Sequence, residues 1–194
     1  MPRKSSPGFL IPFILAVLVV AAIVLYRSHQ PANNDFVGTG QGSASATIPR
    51  VGPPDIYPDR TRTPGITNPA VTQENMYENI CNPKWSTRLI RPPVHYTNEL
   101  KLEQIREYGD ADANPRDYEE DHLIPLELGG DPEDPKNLWP EPYDTSIPDG
   151  GARSKDRVES FLHKQVCSGN ISLGEAQMEI ATDWYRVYQK LPTQ

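Results

Sequence analysis

Residues 118–142 read YEEDHLIPLELGGDPEDPKNLWPEP, and the arrangement of this stretch organises the rest of the chain. Adjacent residues of a strand point to opposite faces. Asp121 and His122 therefore place a carboxylate and an imidazole on different sides of one backbone. If the chain bends there, the carboxylate can hold a metal while the imidazole stays free to take a proton. Pro125 and Gly129-Gly130 supply the bend, and Asn137-Leu138-Trp139 opens a return strand. That return could bring the Asn137 amide back to fix the tautomer and orientation of the imidazole. The plain alternative is that Asp121-His122 caps a strand end and Asn137 starts a turn.

The same residues carry a resemblance. Asp121-His122-Leu123-Ile124-Pro125, then Gly129-Gly130, then Asn137-Leu138 is similar to the signature of the HNH nucleases, the His-Me finger or ββα-metal group. The resemblance implies a small ββα-metal element and hydrolysis of phosphodiester bonds in nucleic acid. It makes His122 the general base, Asp121 a metal ligand and Asn137 the orienter of the imidazole. One divalent cation, expected to be Mg²⁺, would hold a phosphate oxygen and the leaving 3′ oxygen. A hard cation suits carboxylate oxygen. In this family a further His or Asn ligand follows the Asn by eight or nine residues, which here falls on Thr145 and Ser146, neither a good ligand. Asp156 is the substitute, or else an ordinary acidic residue complementing a helix N-terminus. Arg153 and Lys155 are candidates for phosphate contacts or for a solvated surface. His95 and His163 are isolated and read as structural or exposed. No cysteine pair has zinc-knuckle spacing, so no structural zinc is expected, and no small-molecule cofactor is implied.

Outward from this stretch, the expected class is α+β, with helices around a two-stranded element. Residues 71–80 read as a short helix and 85–94 as extended. Thr97 caps a helix over 98–108 whose Leu102, Ile105 and Tyr108 share a face, with Gly109 as its stop. Residues 118–125 form the first strand and 137–139 begin the second. A helix over 153–166 presents Val158, Phe161, Leu162 and Val166. Ser172 and Glu175 form a capping box for a last helix with a stripe of Ala176, Ile180, Trp184, Val187 and Leu191. Asp110-Ala-Asp112-Ala-Asn114-Pro115 imitates a calcium loop, but Pro115 stands where the sharp turn needs Gly, and Asp121 where the bidentate Glu belongs.

At the other end, residues 9–26, FLIPFILAVLVVAAIVLY, carry no charge and can nearly cross a bilayer core. Residues 1–8 contain Arg3 and Lys4, which place that tail in the cytoplasm and the rest of the chain outside it. The expectation is a single-pass anchor in the cell membrane with an extracytoplasmic C-terminal domain. The alternative is a cleaved signal peptide, whose small-x-small site would have to be the distant Ala44-Ser45-Ala46. Residues 27–66 read as a Pro/Gly-rich linker unable to order itself, since residues 27–69 hold seven Pro and five Gly. The folded domain is then expected over 67–194. With export, the two cysteines, Cys81 and Cys167, are expected to form a disulfide; in a reducing compartment they would be buried thiols.

The net charge of −7 argues against a protein that coats nucleic acid. The charge is uneven, however: residues 107–141 sum to −10 and residues 84–106 to +3. Two functions stay open at this level, a membrane-anchored endonuclease and a catalytically degenerate HNH-like fold serving as an envelope binding or scaffold module.

Overall fold

The structure, a computed structural model, describes residues 49–192. The expected tail, membrane anchor and first part of the linker lie outside the described residues. Among the described residues no helix is long and apolar enough to cross a membrane. They form a small α+β fold of three α-helices and one antiparallel hairpin: α1 (Val94–Tyr108), β1 (Tyr118–His122), β2 (Leu138–Pro142), α2 (Ala152–Cys167) and α3 (Leu173–Tyr188).

β1 and β2 pair with Asp121 opposite Trp139 and His122 opposite Leu138. A two-stranded sheet consists only of edges, which is why β2 tolerates Pro140 and Pro142. β1 ends at His122, short of Pro125, although Leu123 still donates its N–H to Asn137 O at 2.8 Å. The intervening loop turns through a single 3₁₀ turn, Leu126–Leu128, closed by Gly129 at φ 72°. Its neighbour Gly130 is required for space: a Cβ there would lie 1.7 Å from Ile124 O.

The hairpin is held to α1 by Lys101 Nζ, which donates to Tyr118 O, and by Gln104 Nε2, which donates to Leu138 O at 2.9 Å. The apolar core lies on the other part of the fold. Ile124 and Leu128 of the loop pack with Val158, Leu162 and Val166 of α2 and with Leu173, Ala176, Ile180 and Trp184 of α3. The Ser172–Glu175 capping box opens α3 as the sequence indicates.

Several boundaries differ from expectation. Residues 71–80 form a series of turns, because Asn75 and Asn79 side chains bond the local backbone and each other, competing with a helical ladder. α1 begins at Val94, directly after Pro93, instead of being capped by Thr97. Proline is compatible with a helix start because the missing N–H has no intrahelical partner there. On α1 Leu102 is exposed, and the buried positions are Gln104 and Ile105.

The largest correction concerns the linker. The ordered fold begins well before residue 67: Ile56 and Tyr57 are buried in the core. A kink in α3 at Asp183 explains this. The Asp183 carboxylate accepts from Tyr57 Oη at 2.6 Å and from Val51 N at 3.0 Å. Trp184 Nε1 donates to Ile56 O at 2.9 Å. Ile56 and Tyr57 are the buried apolar residues of the segment, and much of the rest of its hold is polar, as where Thr63 Oγ1 donates to Leu138 O, so composition alone does not reveal it. Ile56→Ala should cost about 2–5 kcal/mol, and a chain starting at residue 67 should lose cooperative thermal unfolding. A truncated chain that melts like the full one would contradict this account.

Cys81 and Cys167 are joined as a disulfide across 86 positions. A loop of that length is worth about 4–5 kcal/mol in the chain-entropy model. Replacing both cysteines by serine should lower the denaturation midpoint accordingly, and an unchanged midpoint in urea would refute that value.

Candidate functional site

The end of β1 and the first turns of α2 border a polar cleft of about 240 Å³ whose lining includes Arg91, Asp121, His122, Glu127, Asp156 and Glu159. It brings together Asp121, His122 and Asp156, three of the expected site residues. It does so because β1 stops at its mouth and α2 starts beside it.

His122 is 8% exposed, and its Nε2 lies 3.0 Å from Pro132 O. A backbone carbonyl only accepts, so Nε2 carries the proton, and the neutral ring keeps its lone pair on Nδ1. Nδ1 has no partner among the described residues. Burial lowers the His122 pKa from its usual value, keeping the ring neutral at physiological pH.

Asn137 does not touch that ring. It is fully buried, and its amide sews the loop: Oδ1 accepts from Ile124 N and Ile66 N, while Nδ2 donates to Ile124 O and Asp131 O. Its link to the His122 partner is one step removed, through Asp131 O in the peptide bond that precedes Pro132. The expected orienting role is thus taken by a carbonyl, which the residue pattern could not indicate.

Lys155 also departs from expectation. Its side chain is wholly buried, so it is not placed to meet a substrate phosphate. Its ammonium donates to Asp121 Oδ2 and Glu159 Oε1, and to His122 O at 2.9 Å. Glu141 stands 4.0 Å away. Burial opposes the charge on Lys155, but these carboxylates outweigh it and hold the pKa well above the ordinary value. For Asp121, burial is the largest single influence and pushes upward, but the Lys155 charge together with hydrogen bonding at the carboxylate outweighs it and leaves the pKa lowered. Burial, reinforced by like charges, raises Glu141 well above the usual carboxyl range and Glu159 to about 8. Neither Glu141 oxygen has a hydrogen-bond partner among the described residues.

Asp156 sits exposed at the cleft edge, its pKa raised by partial burial and by Asp121. Arg153 is turned elsewhere, its guanidinium 5.8 Å from the Tyr143 ring. Thr145 bonds Ile147 O, and Ser146 bonds Asp55. Sequence reasoning missed Arg91, Glu127, Glu141 and Glu159. The Lys155–Glu159 spacing of four on a helix was the available signal for one of them. Glu127 Oε1 is buried without a partner.

The donor chemistry of the cleft fits a hard divalent cation. Four carboxyl groups, those of Asp121, Glu127, Asp156 and Glu159, meet the cations of Arg91 and Lys155, and burial, reinforced by neighbouring carboxyls, raises the pKa of three of them. These carboxyl oxygens are not drawn to within 4.8 Å of one another in threes; the Lys155 ammonium takes the central place between Asp121 and Glu159. No protein-family model, no curated protein and no solved structure matches the chain.

Proposed function

We propose that this cleft belongs to an HNH-like, metal-assisted endonuclease that hydrolyses phosphodiester bonds of nucleic acid. The observation that carries the reading is the pairing of His122, with Nε2–H committed to Pro132 O and its lone pair on Nδ1, with a set of oxygen donors in one polar cleft. The hairpin followed by α2 is the corresponding ββα-metal (His-Me finger) element. Asp121, with Asp156 and Glu159, would hold the divalent cation, expected to be Mg²⁺, which when bound polarises phosphate and stabilises the departing oxygen. His122 takes the proton of the attacking water at Nδ1. Pro132 O holds the imidazole in the tautomer that this requires. Lys155 fixes Asp121 by one oxygen and leaves the other for the cleft. The exposed Arg91 is the cation placed to meet a substrate phosphate.

In the same reading, residues 9–26 anchor the chain in the cell membrane with the nuclease domain extracytoplasmic. The uncharged apolar run and the disulfide support that placement. A second reading, a non-catalytic binding or scaffold module in the envelope, is favoured by one observation: Lys155 already gives Asp121 a cation. The two separate when purified full-length protein in detergent is incubated with plasmid DNA and with RNA, with Mg²⁺ or with chelator. The nuclease reading expects cleavage that chelator abolishes; intact substrate under every divalent ion tried would leave the scaffold reading.

A further inference from the structure

A second cleft, of about 370 Å³, lies along the disulfide, and its lining includes Cys81, Trp85, Glu127, His163 and Cys167. The two sulfurs and a ring nitrogen of His163 lie within 4.8 Å of one another, and none of the three residues is fully buried. His163 Nε2 lies 2.8 Å from Ile80 O. The carbonyl only accepts, so Nε2–H donates to it and Nδ1 is the nitrogen left for a metal. An imidazole held this way, by an N–H to a backbone carbonyl, is oriented as metal-bound imidazoles are. Ile80 directly precedes Cys81, so one short backbone segment both orients the ring and carries a sulfur. α2 supplies His163 and Cys167 four residues apart, on one face. The Glu127 carboxyl lines the same cleft, with one buried oxygen unpartnered.

We propose that, once the disulfide is reduced, Cys81, Cys167 and His163 form a Zn²⁺ site with three protein ligands and an open fourth position on this cleft. Two thiolates and an imidazole are donors that zinc prefers, and a three-ligand set leaves room for water. The electrons come from a dithiol reductant. It gives two electrons to the Cys81–Cys167 bond, which opens to two thiols while the reductant closes its own disulfide. Zn²⁺ then displaces both thiol protons to solvent. With Zn–S bonds of about 2.3 Å, the sulfurs sit about 3.8 Å apart at a tetrahedral centre. The shift falls on Cys81, which lies in turns, while Cys167 stays at the end of its helix. In the oxidised chain each sulfur is committed to the other, so redox state decides whether the site exists. The 86-residue separation of the cysteines is why no spacing motif announces it.

The test uses full-length protein in detergent, reduced with a phosphine, freed of it under anaerobic conditions and titrated with Co²⁺ as a coloured probe. The expected result is thiolate-to-cobalt charge transfer and tetrahedral d–d bands at one equivalent, both displaced by Zn²⁺, with no signal from oxidised protein. His163→Ala should weaken Zn²⁺ binding about tenfold or more. The proposal is overturned if reduced wild type binds no better than the Cys81→Ser, Cys167→Ser double variant, or if His163→Ala binds as tightly as wild type. Should reduction loosen the fold, Zn²⁺ must restore native tryptophan fluorescence; equal affinity in concentrated guanidinium would equally overturn it.

Discussion

His122→Ala is expected to lower divalent-dependent cleavage by about 10²–10⁴-fold, the usual contribution of a positioned general base, while metal affinity stays near that of wild type. The ring sits at the end of β1, bonded through Nε2 to Pro132 O, and burial keeps it neutral. Its free nitrogen is therefore assigned to water, and the cation to carboxylate oxygens. Asp121→Ala should behave differently, losing metal binding and cleavage together. Because Asp121 also anchors Lys155, that variant should be less stable as well, and its melting curve must be recorded alongside. Asn137→Ala should lose stability and activity in parallel, since its amide holds Ile124, Ile66 and Asp131 and no atom of the ring. Steady-state cleavage and isothermal titration on the three variants check the pattern. Undiminished cleavage by His122→Ala would remove the base from the mechanism.

Lys155→Met should be the most destabilising single substitution at the site, by about 3–5 kcal/mol, the cost of removing one partner from a buried ionic group. The ammonium is wholly buried and bonded to Asp121, Glu159 and the His122 carbonyl. Without it, three crowded carboxyls and a carbonyl face one another with no positive charge between them. Adding Asp121→Asn and Glu159→Gln should recover part of the loss, because neutral amides no longer repel and can satisfy each other. Chemical denaturation measures both effects. A loss below about 1 kcal/mol would indicate a solvated and weakly coupled lysine, as for exposed pairs.

Much of the fold was legible because it follows from periodicity and local chemistry. The hairpin was readable from the bend at Pro125 and Gly129-Gly130 and the return at Asn137-Leu138-Trp139, α2 from Val158, Leu162 and Val166, and α3 from the Ser172–Glu175 box. What escaped depends on tertiary partners. Ile56 and Tyr57 lie in a Pro-rich stretch, and bonds to the Asp183 carboxylate and the Trp184 indole help make it part of the core. Asn75 and Asn79 turned an apparent helix into turns through side-chain bonds.

At the site, Asp121, His122 and Asp156 line one cleft, whereas two residue types misled. An amide near a histidine suggests contact with the ring, but Asn137 satisfied four backbone groups instead. A lysine in the first turn of a helix after a Gly-Gly pair suggests a phosphate ligand. Lys155 is buried because Asp121, Glu141 and Glu159 converge from three elements, a convergence that no linear spacing encodes.

The central claim is that a divalent cation binds beside His122, at Asp121, despite the lysine. Anomalous diffraction from crystals of the protein soaked in Mn²⁺ tests it most directly. The account predicts one strong peak in the cleft, about 2 Å from an Asp121 oxygen, with Asp156 or Glu159 as a further ligand and His122 Nδ1 left uncoordinated. A cleft with no peak, or a cation bound to the His122 ring itself, would contradict it.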